Sequence, residues 1–167
     1  MKREFSRSLR PATIGAEGRQ ERLEAGPEER AALAARLGLI SLDSLSAELE
    51  LTPAPGSVLR VRGVMRAEVV QACVVTLEPV PQRIEETLDW RILPSGEEPS
   101  DELDDGPDEI ESEPDGSVDV GEALAQSLSL ALDPYPRAPD AQLPAEAKDE
   151  AGSPFAALQG LKGGHAP

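Results

Sequence analysis

The sequence has few of the side chains on which most enzyme active sites are built. It contains one cysteine, Cys73, and one histidine, His165, which lies in a glycine-rich stretch. A cysteine nucleophile needs a base such as histidine to form its thiolate, and a zinc site needs several cysteine or histidine ligands. The sequence therefore predicts no catalytic residue, no metal and no cofactor, and it favours a function other than catalysis.

The single cysteine also excludes an internal disulfide, which is typical of a reducing compartment. The residues that follow Met1 contain no apolar run of the length that a signal peptide or a membrane span requires. Together these two absences predict a cytoplasmic protein with no membrane partner.

Aromatic side chains are scarce as well. There are four, and hydrophobic residues make up 39% of the chain, so a core must be built mainly from Leu, Val, Ile and Ala. The 16 prolines and 14 glycines indicate long irregular segments. The aromatic residues are Phe5, Trp90, Tyr135 and Phe155.

Basic residues are missing from one half of the chain. Residues 1–91 carry 13 basic and 14 acidic side chains, whereas residues 92–167 carry 3 basic and 18 acidic ones. Binding of a nucleic acid depends largely on Lys and Arg that neutralise phosphates, so the second half repels RNA. The same charge attracts a basic protein and speeds the encounter.

Apolar and polar residues alternate over three long stretches, which predicts half-buried strands at residues 45–51, 58–77 and 84–92. Pro79 and Pro81 are expected to end the second strand. Short turns between the strands predict an antiparallel meander with one apolar and one charged face.

Helical spacing of apolar residues predicts two helices, at residues 25–38 and 120–132. Pro27 suits the first position of a helix and Gly38 its end. Asp119 and Glu122 have the spacing of a capping box. We therefore expect an α+β fold in which an antiparallel meander of at least three long strands packs its apolar face against two helices.

The distribution of acids, prolines and alanines divides the chain. We expect one α+β domain over residues 1–139, with a flexible acidic insertion at about 95–114. A Pro/Ala-rich linker at 140–152 follows, and then a short apolar segment at 153–162 (SPFAALQGLK). This segment has the character of a docking element, and the sequence leaves open whether it docks on its own domain or on a partner.

Three motifs occur in order along the chain: CVVTLEP at 73–79, DGSVDVGEALAQSLSLALDPYPRAP at 115–139 and SPFAALQGLK at 153–162. In this combination the chain resembles the YceD family, also described as large ribosomal RNA subunit accumulation proteins, in its alphaproteobacterial variant. The resemblance covers about residues 25–162. It implies a role in accumulation of large-subunit ribosomal RNA, hence in assembly of the large subunit. No enzymatic activity is established for that family.

Many YceD members carry Cys-x-x-Cys where this chain has Cys73 and Thr76. Some also carry Cys or His after the second helix, at positions held here by residues 136–138. The resemblance therefore implies that a metal knuckle, where relatives have one, is lost in this chain, and that a shared function does not depend on it. The family motif, of unknown role, comprises Cys73, Thr76, Leu77, Glu78 and Pro79.

Two functions are compatible with these observations. The first is a monomeric, non-enzymatic assembly factor whose acidic half holds a basic ribosomal protein or a large-subunit precursor. Its candidate contacts are Glu97, Glu98, Asp101, Glu102, Asp104 and Asp105. The alternative is direct RNA binding by the charged face of the meander, through Arg60, Arg62 and Arg66. We favour the first, because acids on neighbouring strands match these arginines in number and no aromatic side chain on that face offers a base a stacking platform.

Overall fold

The computed structural model describes residues 3–56, 58–99 and 106–144. This part of the chain contains seven strands, two α-helices and a short 3-10 helix at Pro11–Thr13. The helices are α1 Pro27–Leu37 and α2 Val120–Ala131. The strands are β1 Ser8–Leu9, β2 Arg19–Glu24, β3 Ser41–Ala54, β4 Val58–Ala72, β5 Pro79–Leu93, β6 Asp108–Glu111 and β7 Val118–Asp119.

Five of the strands form one sheet in the order β2-β3-β4-β5-β6. The first four run antiparallel to their neighbours, and β6 adds to β5 in parallel. β1 and β7 pair separately, with Ser8 opposite Asp119. The predicted antiparallel meander and the α+β class are confirmed.

One face of the meander is buried because apolar side chains occupy every second position. Val61 lies opposite Trp90 across β4 and β5, and both are at most 1% exposed. Aliphatic side chains supply most of the rest of the core, in keeping with the scarcity of aromatics. From the three long strands they include Leu45, Ala47, Leu49, Leu51, Leu59, Met65, Ala67, Val69, Ile84, Leu88 and Ile92.

Both predicted helices are present. α1 begins after Gly26, whose N–H donates to Glu29 Oε2 at 2.8 Å, and it ends at Gly38 in the left-handed conformation (φ 66°). Leu33 of α1 and Leu124 of α2 are completely buried in the core. Within the described residues, no helix combines the length and the apolar character that a membrane crossing requires.

The prediction that Pro79 and Pro81 end the strand at 58–77 is wrong. β4 ends at Ala72, and both prolines belong to β5, opposite Ala72 and Val70. Proline lacks an N–H group and is tolerated where one side of a strand has no partner. β6 pairs only with residues 90–93 of β5, so in the described residues the start of β5 has such a side.

Two strands of the five-stranded sheet escaped prediction. β2 has only one buried side chain, Leu23, so its sequence shows no clear alternation. β6 lies inside the acidic insertion predicted as irregular, and that prediction is wrong for Asp108–Glu111. Ile110 packs against the core, Arg91 on β5 pairs with Glu109 at 3.0 Å, and the Glu111 carboxylate accepts the N–H of Gly96 at 3.0 Å, so side-chain contacts hold the strand as well as backbone pairing.

Asp119, at the N-cap of α2, joins the start of the chain to its second half. Its carboxylate accepts hydrogen bonds from Ser6 Oγ at 2.6 Å, Arg7 N at 2.8 Å and Arg3 Nη1 at 3.0 Å. It also accepts the first N–H groups of the helix, from Gly121 and Glu122, at 3.0 and 3.1 Å. Burial opposes ionisation of Asp119, but the hydrogen bonds from Ser6, Arg7 and Arg3 outweigh it and lower its pKa.

The capping box predicted for α2 is half formed. Asp119 caps the helix, whereas the Glu122 carboxylate pairs with Arg36 of α1 at 2.7 Å. The guanidinium of Arg36 also contacts Glu4 at 3.1 Å. Glu122 therefore ties the two helices together.

Replacement of Asp119 by Ala should lower the free energy of unfolding by about 2–4 kcal/mol, because the helix loses its cap and several donors lose their acceptor. Urea denaturation measures the change, and Asp140→Ala, at an exposed position, serves as the control.

The folded-state pKa of Asp119 lies below its ordinary value of 3.8. Its contribution is therefore present above pH 4 and is lost as the pH falls through the folded pKa. If Asp119→Ala lowers the free energy of unfolding by as much in acid as at neutral pH, the charge of Asp119 does not have this role.

Candidate functional site

The turn between β4 and β5, residues 73–78, is a compact knuckle. Cys73 N–H donates to the carbonyl of Glu78 at 2.8 Å, and Leu77 N–H donates to the carbonyl of Cys73 at 2.9 Å. Leu77 adopts a positive φ of 62°, which side chains other than those of Gly, Asn and Asp rarely accept. The family motif is thus a tight turn, where the sequence predicted the end of a strand.

Three backbone N–H groups converge on the sulfur of Cys73. Val75 and Thr76 donate to Sγ at 3.4 Å each, and Ala138 donates at 3.3 Å. The side chain is completely buried. The hydrogen bond of the Thr76 side chain, and then that of the Ala138 N–H, lower the pKa of the thiol to about 7 against the opposing effect of burial. The sulfur thus acts as the acceptor that organises the turn.

The chain that follows α2 is tied to this knuckle, and we call residues 133–138 the strap. Val74 N–H donates to the carbonyl of Pro136 at 2.9 Å. Gln71 Nε2 donates to the carbonyl of Asp133 at 2.9 Å. Together with the Ala138 bond to sulfur, these contacts fix the strap against the end of β4.

The knuckle does not fit a metal ion. A tetrahedral site needs several thiolate or imidazole ligands, and Cys73 is the only cysteine of the chain. The hydroxyl of Thr76, at the position of a second ligand, accepts the N–H of Glu78 at 3.3 Å. In the part of the chain that the structure describes, no three His, Cys, Asp or Glu side chains are grouped as metal ligands would be.

The arginines proposed as RNA contacts lie together on the outer face of the sheet, and each is paired with a carboxylate. Arg60 forms a bidentate pair with Asp89 of β5, at 2.5 and 2.6 Å, which lowers the pKa of Asp89. Arg62 Nε lies 3.8 Å from the same carboxylate. Arg66 contacts Glu85 at 2.9 Å and Glu48 at 3.7 Å. Three carboxylates thus match three guanidinium groups.

Of the acidic residues proposed to contact a partner, Glu97 and Glu98 are described and are exposed. Asp101, Glu102, Asp104 and Asp105 lie outside the described residues, as does the apolar segment at 153–162. Several acids further along have partners within the domain. Examples are Glu111, which accepts the N–H of Gly96 at 3.0 Å, and Glu113, which pairs with Arg3 at 2.8 Å.

A scan against protein-family models matches residues 61–162 to the model described as large ribosomal RNA subunit accumulation protein YceD. The matched region is more than half of the chain. The chain belongs to the YceD family. Membership connects it with accumulation of the large-subunit ribosomal RNA. Neither the curated proteins nor the solved structures yielded a match.

The match to YceD begins in β4 and includes the knuckle, the acidic segment, α2 and the strap. The sequence identified the motif residues of the knuckle, and the resemblance grouped them with positions 136–138 as a lost metal knuckle. The hydrogen bonds that tie the strap to the turn were not predicted. No local signal connects Ala138 with Cys73, 65 positions earlier.

Replacement of Thr76 by Val should raise the pKa of Cys73 from about 7 toward its ordinary value of 9.0, because the hydroxyl beside the sulfur, which lowers this pKa and also donates to Glu78 Oε2 at 3.1 Å, is removed. The ultraviolet absorbance of the thiolate, followed against pH, measures this directly, since the chain has one cysteine. Thr87→Val on β5 is the matched control. An unchanged pKa in Thr76→Val would show that the hydroxyl does not act on the sulfur.

The lowered pKa of Cys73 also makes the stability of the domain depend on pH. Because the thiol ionises more readily in the folded chain than in the unfolded one, the free energy of unfolding should rise between about pH 7 and pH 9. This contribution disappears as the pH falls through about 7. Urea titrations at several pH values should show a smaller rise in Thr76→Val, and an equal rise in both chains would assign the effect to other groups.

Proposed function

We propose that the chain supports accumulation of the large-subunit ribosomal RNA without catalysing a reaction, as a cytoplasmic factor that binds a basic ribosomal protein or an assembling large-subunit particle. The observation that carries the proposal is the one-sided charge of the chain. Basic and acidic residues balance up to residue 91, and acids exceed bases by 18 to 3 from there on.

The pairing of the arginines supports a protein partner over RNA. A phosphate that approaches Arg60 must displace a bidentate carboxylate, and the Asp89 carboxylate would then repel it. Arg62 has the longest ion-pair contact of the three arginines and the most exposed side chain, at 66%, yet it shares Asp89 with Arg60. The outer face therefore offers little net positive charge to counter the phosphates of an RNA.

The acidic insertion at about residues 95–114, called here the acidic segment, carries an excess of negative charge. Glu97 and Glu98 are exposed, and neither forms an ion pair with a residue in the described part of the chain. Between residues 97 and 113 there are ten acids and no base, and among them Glu109 and Glu113 pair with Arg91 and Arg3. Charges that are not compensated within the domain attract a basic protein over about 8–10 Å at physiological salt and speed its association.

Affinity purification of the tagged full-length chain from its own cells, with and without nuclease treatment, tests the proposal. We expect a basic protein of the large subunit to be retained after nuclease and to be released as salt is raised, because salt screens the acidic segment. Recovery of RNA that disappears on nuclease treatment, with no protein retained, would contradict the proposal and favour the arginine face.

Two variants separate the surfaces. The first replaces the six acids between residues 97 and 105 by their amides and leaves β6 intact. The second, of matched design, replaces Arg60, Arg62 and Arg66 by Gln. The proposal predicts at least a tenfold loss of partner binding in the first, an order of magnitude typical of several weakened charge contacts, and little change in the second. The reverse pattern would overturn it.

A further inference from the structure

Three exposed apolar side chains lie on the knuckle and the strap, those of Val74, Leu77 and Tyr135, and we call them the knuckle patch. These side chains are 49%, 76% and 72% exposed. Val74 N–H donates to the carbonyl of Pro136, the residue that follows Tyr135, so this part of the strap lies against the knuckle. Ile40, 52% exposed, adjoins this end of the sheet, since its N–H donates to the carbonyl of Val70 on β4.

Leu77 is the least expected member of the patch. A left-handed backbone conformation at φ 62° suits Gly or Asn and is unfavourable for leucine. The leucine side chain gains little from its own domain in return, because most of its surface faces solvent. A strained backbone that presents a large apolar side chain outward is a sign of a binding role.

The chain itself carries a matching occupant close by. The strap holds Ala138 at the knuckle through the bond to Cys73, and Phe155 follows Ala138 by 17 positions. Seventeen residues reach at most about 60 Å when fully extended, so the segment is tethered within reach of the patch, and tethering raises its effective concentration there. The segment at 153–161 places Phe155, Leu158 and Leu161 at three-residue spacing.

The family match includes both surfaces. It begins before the knuckle, continues through the strap and ends at residue 162, the last residue of the apolar segment. Patch and segment therefore occur together in the region that the family model describes.

We propose that residues 153–161 dock on the knuckle patch of their own domain, with Phe155, Leu158 and Leu161 covering Val74, Leu77 and Tyr135. This contact is independent of the acidic segment and of the partner that it binds. It would place the C-terminal part of the family region against the family motif at 73–79.

Photo-crosslinking in the full-length chain tests the contact. A benzoylphenylalanine in place of Phe155 should form cross-links within one molecule, to peptides that contain residues 74–78 or 133–138. Cross-links to another part of the domain, or the absence of any cross-link, would overturn the proposal. Cross-links found only between two chains would assign the patch to a second copy and would also overturn it.

The variant Leu77→Asn separates docking from folding. Asn accepts the left-handed conformation more readily than Leu, so the domain should melt at the same temperature or higher. Removal of the apolar side chain should meanwhile accelerate amide hydrogen exchange of residues 153–161 by about tenfold, since a buried leucine contact of this size is lost. Leu130→Gln, at an exposed position on α2 (87% exposed), is the matched control. Unchanged exchange in Leu77→Asn would contradict docking at the patch.

Discussion

The fold depends on the burial of one face of a sheet whose other face stays in water. Three long strands supply both faces, because successive side chains on a strand point in opposite directions. The inner face can be packed with aliphatic side chains around Trp90. The outer face must carry polar groups at the same spacing, and charges on neighbouring strands are favourable when opposite signs come together. Arg66 stands directly opposite Glu85, and Arg60, which stands opposite Arg91, pairs diagonally with Asp89. A surface rich in arginine is therefore nearly neutral.

The knuckle shows how a turn can be organised around a single sulfur atom. N–H groups directed at one sulfur stabilise negative charge on it, whether that charge is shared with a cation or not. In this chain the donors are Val75, Thr76 and Ala138, and the last of them belongs to the strap. The sulfur thus joins two segments that are distant in the sequence, by hydrogen bonds alone.

The sequence was most informative where a pattern is local. The alternation along β3, β4 and β5 and the helical spacing around Leu33 and Leu124 were sufficient for the fold class. The missed features depend on distant partners. β2 has one buried side chain and is held as a strand by its pairing with β3. β6 is stabilised by the packing of Ile110 on the core, but the acidic residues around Ile110 give the sequence no apolar pattern there. Pro79 looked like a strand end because the pattern does not reveal that one side of β5 has no neighbour there. In the candidate site, Cys73 and Thr76 could be identified from the sequence and the resemblance grouped them with positions 136–138, but the hydrogen bonds between the strap and the turn could not be predicted.

The pairing of Ser8 with Asp119 has a consequence for the order in which the domain forms. The helix α1 and the hairpins of the meander bring together residues that are close in the chain, and such contacts form early. The segment at residues 3–9 finds its acceptor only when residue 119 is available, and closing so long a loop costs entropy before any contact compensates for it. During synthesis Phe5 must therefore remain without its final packing until most of the domain has left the ribosome. The segment at residues 3–9 is thus made before its partners in the fold and is among the last parts of the domain to pack.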